Sequence, residues 1–118
     1  MREDILAVVA AWARAVAGCD VGALDRLVAE PLRDGVIART RAVHAAFAGI
    51  EVAPVHVVVE NDAVAWRWRL SGRHVGALGG IPGSGAQRTI EGVNFQRVRD
   101  GVVTEHWTTV DLSGLSRV

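Results

Sequence analysis

The chain has 118 residues, half of them hydrophobic, and its 13 basic and 13 acidic side chains cancel at pH 7. A chain of that length forms one domain, 1–118, that buries roughly two-thirds of its unfolded surface, and its balanced charge gives no reason to expect disorder or a nucleic-acid partner. Every base is arginine; without Lys or Tyr the chain can form no enzyme-bound imine and has no phenol to act as acid or oxyanion donor.

Residues 5–17 repeat apolar side chains at helical spacing, and Arg14 interrupts the run, so an amphipathic helix is predicted rather than a signal or membrane span. No membrane partner is expected, and the cytoplasm is the default location. Cys19 is the single cysteine; it cannot form an internal disulfide and reads as a small apolar residue. Asp20 is predicted to cap a second short helix that Pro31 ends, and a third helix is expected over residues 40–48. After Gly49 the composition turns to Val, Trp, Thr and Ile at period two, which signals strands. The class is α+β with segregated elements. Residues 76–85, GALGGIPGSG, read as a mobile loop over the site. With no helix start and no Lys-Ser/Thr behind it, that loop does not have the form of a phosphate cradle.

Two turns set strand registers. Asp100-Gly101 is a strong two-residue hairpin signal, and an uninterrupted ladder places Val98 opposite Val103, Asn94 opposite Trp107, Gly92 opposite Thr109 and Ile90 opposite Asp111. Asn61-Asp62 places Val59, Val57 and Val55 opposite Val64, Trp66 and Trp68, the face that belongs to the core, while His56 and Arg67 point outward. On this reading Trp107 joins the two tryptophans and Asp111 lies about 13 Å further along the same face. Gly92 beside Thr109 leaves volume that a packed core would fill, so a cavity holding Asp111 is predicted. His106 faces away from it, and Glu105 is the acid that shares the inner face.

Residues 64–111 resemble the SnoaL-like polyketide cyclases of the NTF2-like superfamily: Gly72-x-His74-x-Gly76, the Gly80-Ile81-Pro82 stretch with Gly85, an arginine-bearing strand ending in Asp-Gly, and Glu105-His106-Trp107 followed by Asp111. The resemblance implies an NTF2-like cone, with N-terminal helices packed in a strongly curved, mainly antiparallel sheet. Its first strand is expected to be shortened or missing, because residues 30–41 leave little room for one. It further implies that Asp111 is the acid/base aspartate and that Trp107 is a pocket wall. By the same resemblance Asn94 occupies a polar slot and His74 matches the motif histidine, so the expected catalytic set is Asp111, His74 and Asn94. Trp107, Trp66, Trp68, Thr109, Gly92 and Trp12, the last as pocket floor, are the expected substrate contacts.

The implied activity is cofactor-independent closure of a ring, aldol in type, in a polyketide-like intermediate. An aspartate in an apolar pocket would be raised toward neutrality and could both remove and return the proton. The expected partner is a small apolar or polycyclic natural-product substrate. No metal is expected, because the four histidines lack ligand spacing. A small epoxide hydrolase or epoxide-opening cyclase, and a non-catalytic binding pocket, are the alternatives. For Asp111 itself the bland alternative is a strand-end residue capping the turn that follows, and for His44 a plain surface residue. The apolar outer sheet face points to a homodimer.

Overall fold

In the computed structural model of the chain, residues 2–116 are described, and they form three helices followed by four strands and a final 3-10 turn. Helix α1 is Arg2–Gly18, α2 is Val21–Leu27 and α3 is Glu30–Ala46. The strands are β1 (Phe47–Glu60), β2 (Ala63–His74), β3 (Gln87–Arg99) and β4 (Val102–Asp111). They make one antiparallel sheet in the order β1-β2-β3-β4. The α+β class with helices leading strands is thus as expected.

The helices follow local chemistry. Asp20 caps α2 by accepting from the Ala23 backbone N–H at 3.0 Å, as expected. Pro31 does not end that helix; it sits in the first turn of α3, where a missing N–H costs nothing and the fixed φ suits a helix. As a result α3 starts ten residues earlier than the predicted Thr40 and absorbs the whole stretch from Glu30. Of the first strand there remains one residue: Val28 bridges in parallel to Val103, and the Ala29 N–H donates to the Val103 carbonyl at 2.9 Å. His44 is half-buried and lies 2.8 Å through Nε2 from the Val16 carbonyl, joining α3 to the last turn of α1; it is not a plain surface residue.

Helices and strands meet in two apolar clusters. The first gathers Ile5, Val9 and Trp12 of α1 with Leu24, Val28, Val36, Val64, Trp66 and Val103. The second, toward the other end of the sheet, holds Ala46, Phe47, Leu70, Ile90 and Leu115, with Leu78 and Ile81 of the 76–85 loop packed against it. That loop does connect β2 to β3, and a bridge between Leu78 and Ile81 closes it on itself.

Register decides which residues face the helices. The β2–β3 ladder is regular from Ala63↔Arg97 to Arg73↔Gln87. The outer strands are not. β1 is irregular between Pro54 and His56 and again between Ala48 and Glu51, and β4 opposite Arg97/Val98. Each bulge inserts a residue, bends the strand and reverses which parity faces inward. Val59 and Val57 face Val64 and Trp66 as expected, but Pro54, not Val55, is opposite Trp68, and Val55 is exposed.

The β3–β4 turn is as predicted, with Asp100 and Gly101 both at positive φ, the signature of a type I′ hairpin. Val98 lies opposite Val103. Thr104 is then left over, and from Arg97↔Glu105 onward the ladder is displaced by one. Gln96 is opposite His106, Asn94 opposite Thr108, Gly92 opposite Val110 and Glu91 opposite Asp111. Elementary electrostatics favours this outcome. Without the bulge Glu105 would enter the apolar cone beside Gln96, whereas with it Glu105 lies on the outer face directly opposite Arg97, the Nε to Oε2 distance being 2.7 Å. Ionised carboxylates are costly to desolvate, and opposite charges across a ladder are favourable.

Candidate active site

A cavity of about 110 Å³ lies between α1, α3 and the concave face of the sheet. Trp12 and Val16 come from α1, Val36, Arg39, Thr40 and Val43 from α3, and Trp66, Trp68, Ile90, Asn94, His106 and Thr108 from the strands. Its walls are mostly apolar, and the exposed members Arg39 and Thr108 mark the mouth. An engineered cavity of roughly 150 Å³ takes benzene, so this one accepts about one small ring.

Several of the predicted site residues converge here. Trp12, Trp66, Trp68 and Asn94 all line the cavity. Gly92 is on the same inner face but does not leave space: a Cβ there would run into the Trp68 indole. That indole covers the glycine, so the gap inferred beside Thr109 is filled by Trp68.

The remaining residues do not converge. Asp111 and Trp107, with Thr109 between them, lie on the outer face, because the Thr104 bulge exchanges the two sides of β4. Trp107 is 57% exposed and packs its ring, tilted, 5.6 Å from that of Phe95, its outer-face neighbour. Asp111 accepts from the Ser113 backbone N–H at 2.9 Å, and so takes the turn-capping position. The predictions that Asp111, Trp107 and Thr109 line the pocket are corrected accordingly, and the same displacement corrects Glu105 and His106. His74 faces inward and is fully buried, but it belongs to the second cluster, stacked on Phe47 at 5.3 Å, and does not line the cavity.

His106 occupies the place expected for the acid. Its ring lies 4.8 Å from that of Trp12, and its pKa is lowered from 6.5 to about 4, first by burial and second by the charge of Arg39. It is therefore neutral at pH 7. Its tautomer follows from a relay of hydrogen bonds. The indole N–H of Trp66 can only donate, and it donates to Gln96 Oε1 at 3.0 Å. That orients the Gln96 amide so that its Nε2 donates to His106 Nδ1 at 3.0 Å. The imidazole proton must then reside on Nε2, the ring nitrogen outside the relay, on a side chain that lines the cavity. A second, shorter relay runs beside it: the Trp68 indole N–H donates to Asn94 Oδ1 at 3.1 Å, which leaves the Asn94 NH2 as a donor.

Thr40 spends its hydroxyl proton on the Val36 carbonyl at 2.9 Å. Among the described residues, no Asp or Glu lines the cavity, and no three His, Cys, Asp or Glu side chains are grouped as a metal site would need. The signal that could have revealed His106 is the pair Arg97 and Glu105, whose charges match only if one residue bulges out between them and the turn.

A cone of helices held in a curved antiparallel sheet, with a mostly apolar pocket between them, is the NTF2/ketosteroid-isomerase-like fold. The sequence profile of the SnoaL-like polyketide cyclases matches residues 4–117, and the chain belongs to that family. A comparison with curated proteins gives no match. Among solved structures, TsrD from Streptomyces laurentii is 26% identical, with a TM-score of 0.85 over 98% of this chain and 93% of that one. A SnoaL-like polyketide cyclase from Agrobacterium tumefaciens is 12% identical, with a TM-score of 0.79 over 92% and 91% of the two chains. A protein of ketosteroid isomerase-like fold from Catenulispora acidiphila, in complex with trimethylamine, is 19% identical, with a TM-score of 0.71 over 92% and 88%. The last two likenesses are of fold. No helix among the described residues is long and apolar enough to cross a membrane.

Proposed function

We propose that the protein closes a ring in a carbonyl-rich, polyketide-like intermediate, with His106 and Asn94 as hydrogen-bond donors to the oxygen that gains charge. The observation that carries this reading is a greasy cavity whose inward polar groups are fixed as donors by two indole relays. A carbon between two carbonyls, acidified by both, passes its proton to a water at the mouth. The resulting carbanion attacks a receiving carbonyl carbon, and the alkoxide so formed takes that proton back, so that no net proton is gained or lost. Preorganised donors aimed at that alkoxide lower the barrier, and removal of one such donor costs about 10²–10³ in kcat. Folding the chain between Trp12, Trp66 and Trp68 supplies the proximity. The reactive end enters the cavity while the rest of the substrate lies across the mouth, between Arg39 and Thr108.

The aspartate version of the mechanism is set aside, since Asp111 projects from the opposite side of the sheet. Epoxide hydrolysis recedes for the same reason: it asks for a carboxyl group in the cavity, and both Glu91 and Glu105 are paired with arginines outside it. A pocket that binds without catalysis is the second reading, favoured by the lack of any carboxylate among the described lining residues. Val58, Val93, Phe95 and Trp107 form an exposed apolar band on the outer face, and we propose that a second copy covers it, in a protein that works in the cytoplasm.

The test is incubation with a linear poly-β-ketone thioester and detection of cyclised product by mass spectrometry. Ring closure above the spontaneous rate that falls at least tenfold in His106→Leu and survives in Asp111→Asn supports the cyclase. Saturable binding with no added turnover supports the binding pocket instead.

A further inference from the structure

We propose that this cavity takes its ligand as a planar oxyanion, the conjugate base of an enolisable dicarbonyl or a phenol, in preference to the neutral acid. The inference deepens the reading above and rests on it for the location of the ligand.

The argument is one of hydrogen-bond polarity. The relay through Gln96 leaves His106 Nε2–H, and the relay through Asn94 leaves its NH2, as the donors outside the relays on two side chains that line the cavity. Both amide orientations are imposed by indoles, which cannot accept, so neither donor can be turned into an acceptor without breaking a buried hydrogen bond. The titratable groups facing the cavity are His106 from β4 and Arg39 from α3; α1, β1, β2 and β3 contribute none. Arg39 is permanently charged, lines the cavity, and makes no ion pair among the described residues that would neutralise it there.

A neutral enol or phenol would bring an O–H of its own to a place that offers little to accept it, since the Thr40 and Thr108 hydroxyls are the main side-chain oxygens there apart from the already engaged Asn94 Oδ1. The conjugate base brings only acceptors and meets two neutral donors and one cation. Hydrogen bonds to an ionised acceptor are roughly twice as strong as neutral ones, and an opposite charge within about 4–6 Å lowers an acid's pKa by roughly 1–3 units. The cavity therefore ionises its guest by binding it. For ring closure this removes the need for a resident base: the site would hold the already deprotonated nucleophile.

The experiment uses the full-length protein and 4-nitrophenol, whose phenolate absorbs in the visible. Its ionisation is followed from pH 5 to pH 9 with and without saturating protein; over this range His106, titrating near 4, stays neutral in the free protein. The bound probe is expected to ionise at a pH lower by about one unit or more, with the shift reduced in Arg39→Gln and in His106→Leu. Circular dichroism of both variants ensures that a lost shift is not lost folding. Unchanged or raised ionisation pH on binding overturns the proposal, and so does the lack of a saturable spectral change up to millimolar probe. The two proposals separate cleanly: a phenolate shift without ring closure sinks the cyclase reading alone, and ring closure with a neutrally bound probe sinks this one alone.

Discussion

The middle and the margins of this sheet obey different rules. Strands β2 and β3 pair without a break from Ala63↔Arg97 to Arg73↔Gln87, so Val64, Trp66, Trp68 and Leu70 alternate inward in one unbroken rhythm opposite Gln96, Asn94, Gly92 and Ile90. β1 and β4, at the edges, change parity at bulges. The regular pair builds the wall of the pocket and its relays. The irregular β4 selects what chemistry enters it, because one extra residue, Thr104, puts His106 inside and Asp111 outside.

The largest effect is expected from putting into the cone the acid that the bulge keeps out. Deleting Thr104 does not do so, because it leaves Glu105 opposite Arg97 and His106 opposite Gln96, whereas His106→Glu places a carboxylate inside with the register unchanged. A buried carboxylate without a partner costs about 3–5 kcal/mol, so denaturant unfolding should show a loss of that order, and near wild-type stability would mean that the cone tolerates an acid.

Next comes the contact between the regular and irregular strands. Gln96→Leu leaves the Trp66 N–H and His106 Nδ1 without partners, at about 1–3 kcal/mol each. Urea titration should therefore record a loss of about 2 kcal/mol or more, and His106 should become free to exchange tautomers.

A smaller effect is one of pH. Because the folded-state pKa of His106 is depressed from 6.5 to about 4, the unfolded chain binds more protons in that window, and stability falls as pH drops from 6.5 toward 4. In His106→Leu this part of the slope should vanish, as measured by melting temperature against pH.

Outer-face changes come last. Trp107→Ser should lower the sedimentation coefficient to that of a monomer if a second copy covers this face, with the fold intact. Asp111→Asn should change stability by less than about 1 kcal/mol and leave ring closure or ligand binding as in the wild type.

Much of this was legible beforehand, and the line between what was and what was not is physical. Alternation identified Trp66 and Trp68 as inward, and Asp20 and the Asp100-Gly101 turn announced their own geometry, because caps and type I′ turns depend on a few adjacent residues. Asn94 sits on the unbroken strand, where alternation alone carries it to the inner face. Pro31 misled because the residue that stops one helix also starts the next. Counting from the turn carries Asp111, Trp107 and Thr109 inward only if no bulge intervenes, and no local pattern marks Thr104 as extra. The pairing of Arg97 with Glu105 is a non-local fact; only by weighing the burial of Glu105 against its exposure could the displaced register have been chosen.

The most direct measurement is the protonation of His106 itself, by nitrogen-15 correlation spectroscopy of the imidazoles from pH 3 to pH 8, with His106→Leu to assign the resonance. The account expects a neutral ring with its proton on Nε2 and an unprotonated Nδ1 at pH 7, titrating near 4 and unmoved by Asp111→Asn. A ring that titrates at the ordinary 6.5, or one that carries its proton on Nδ1, would contradict it.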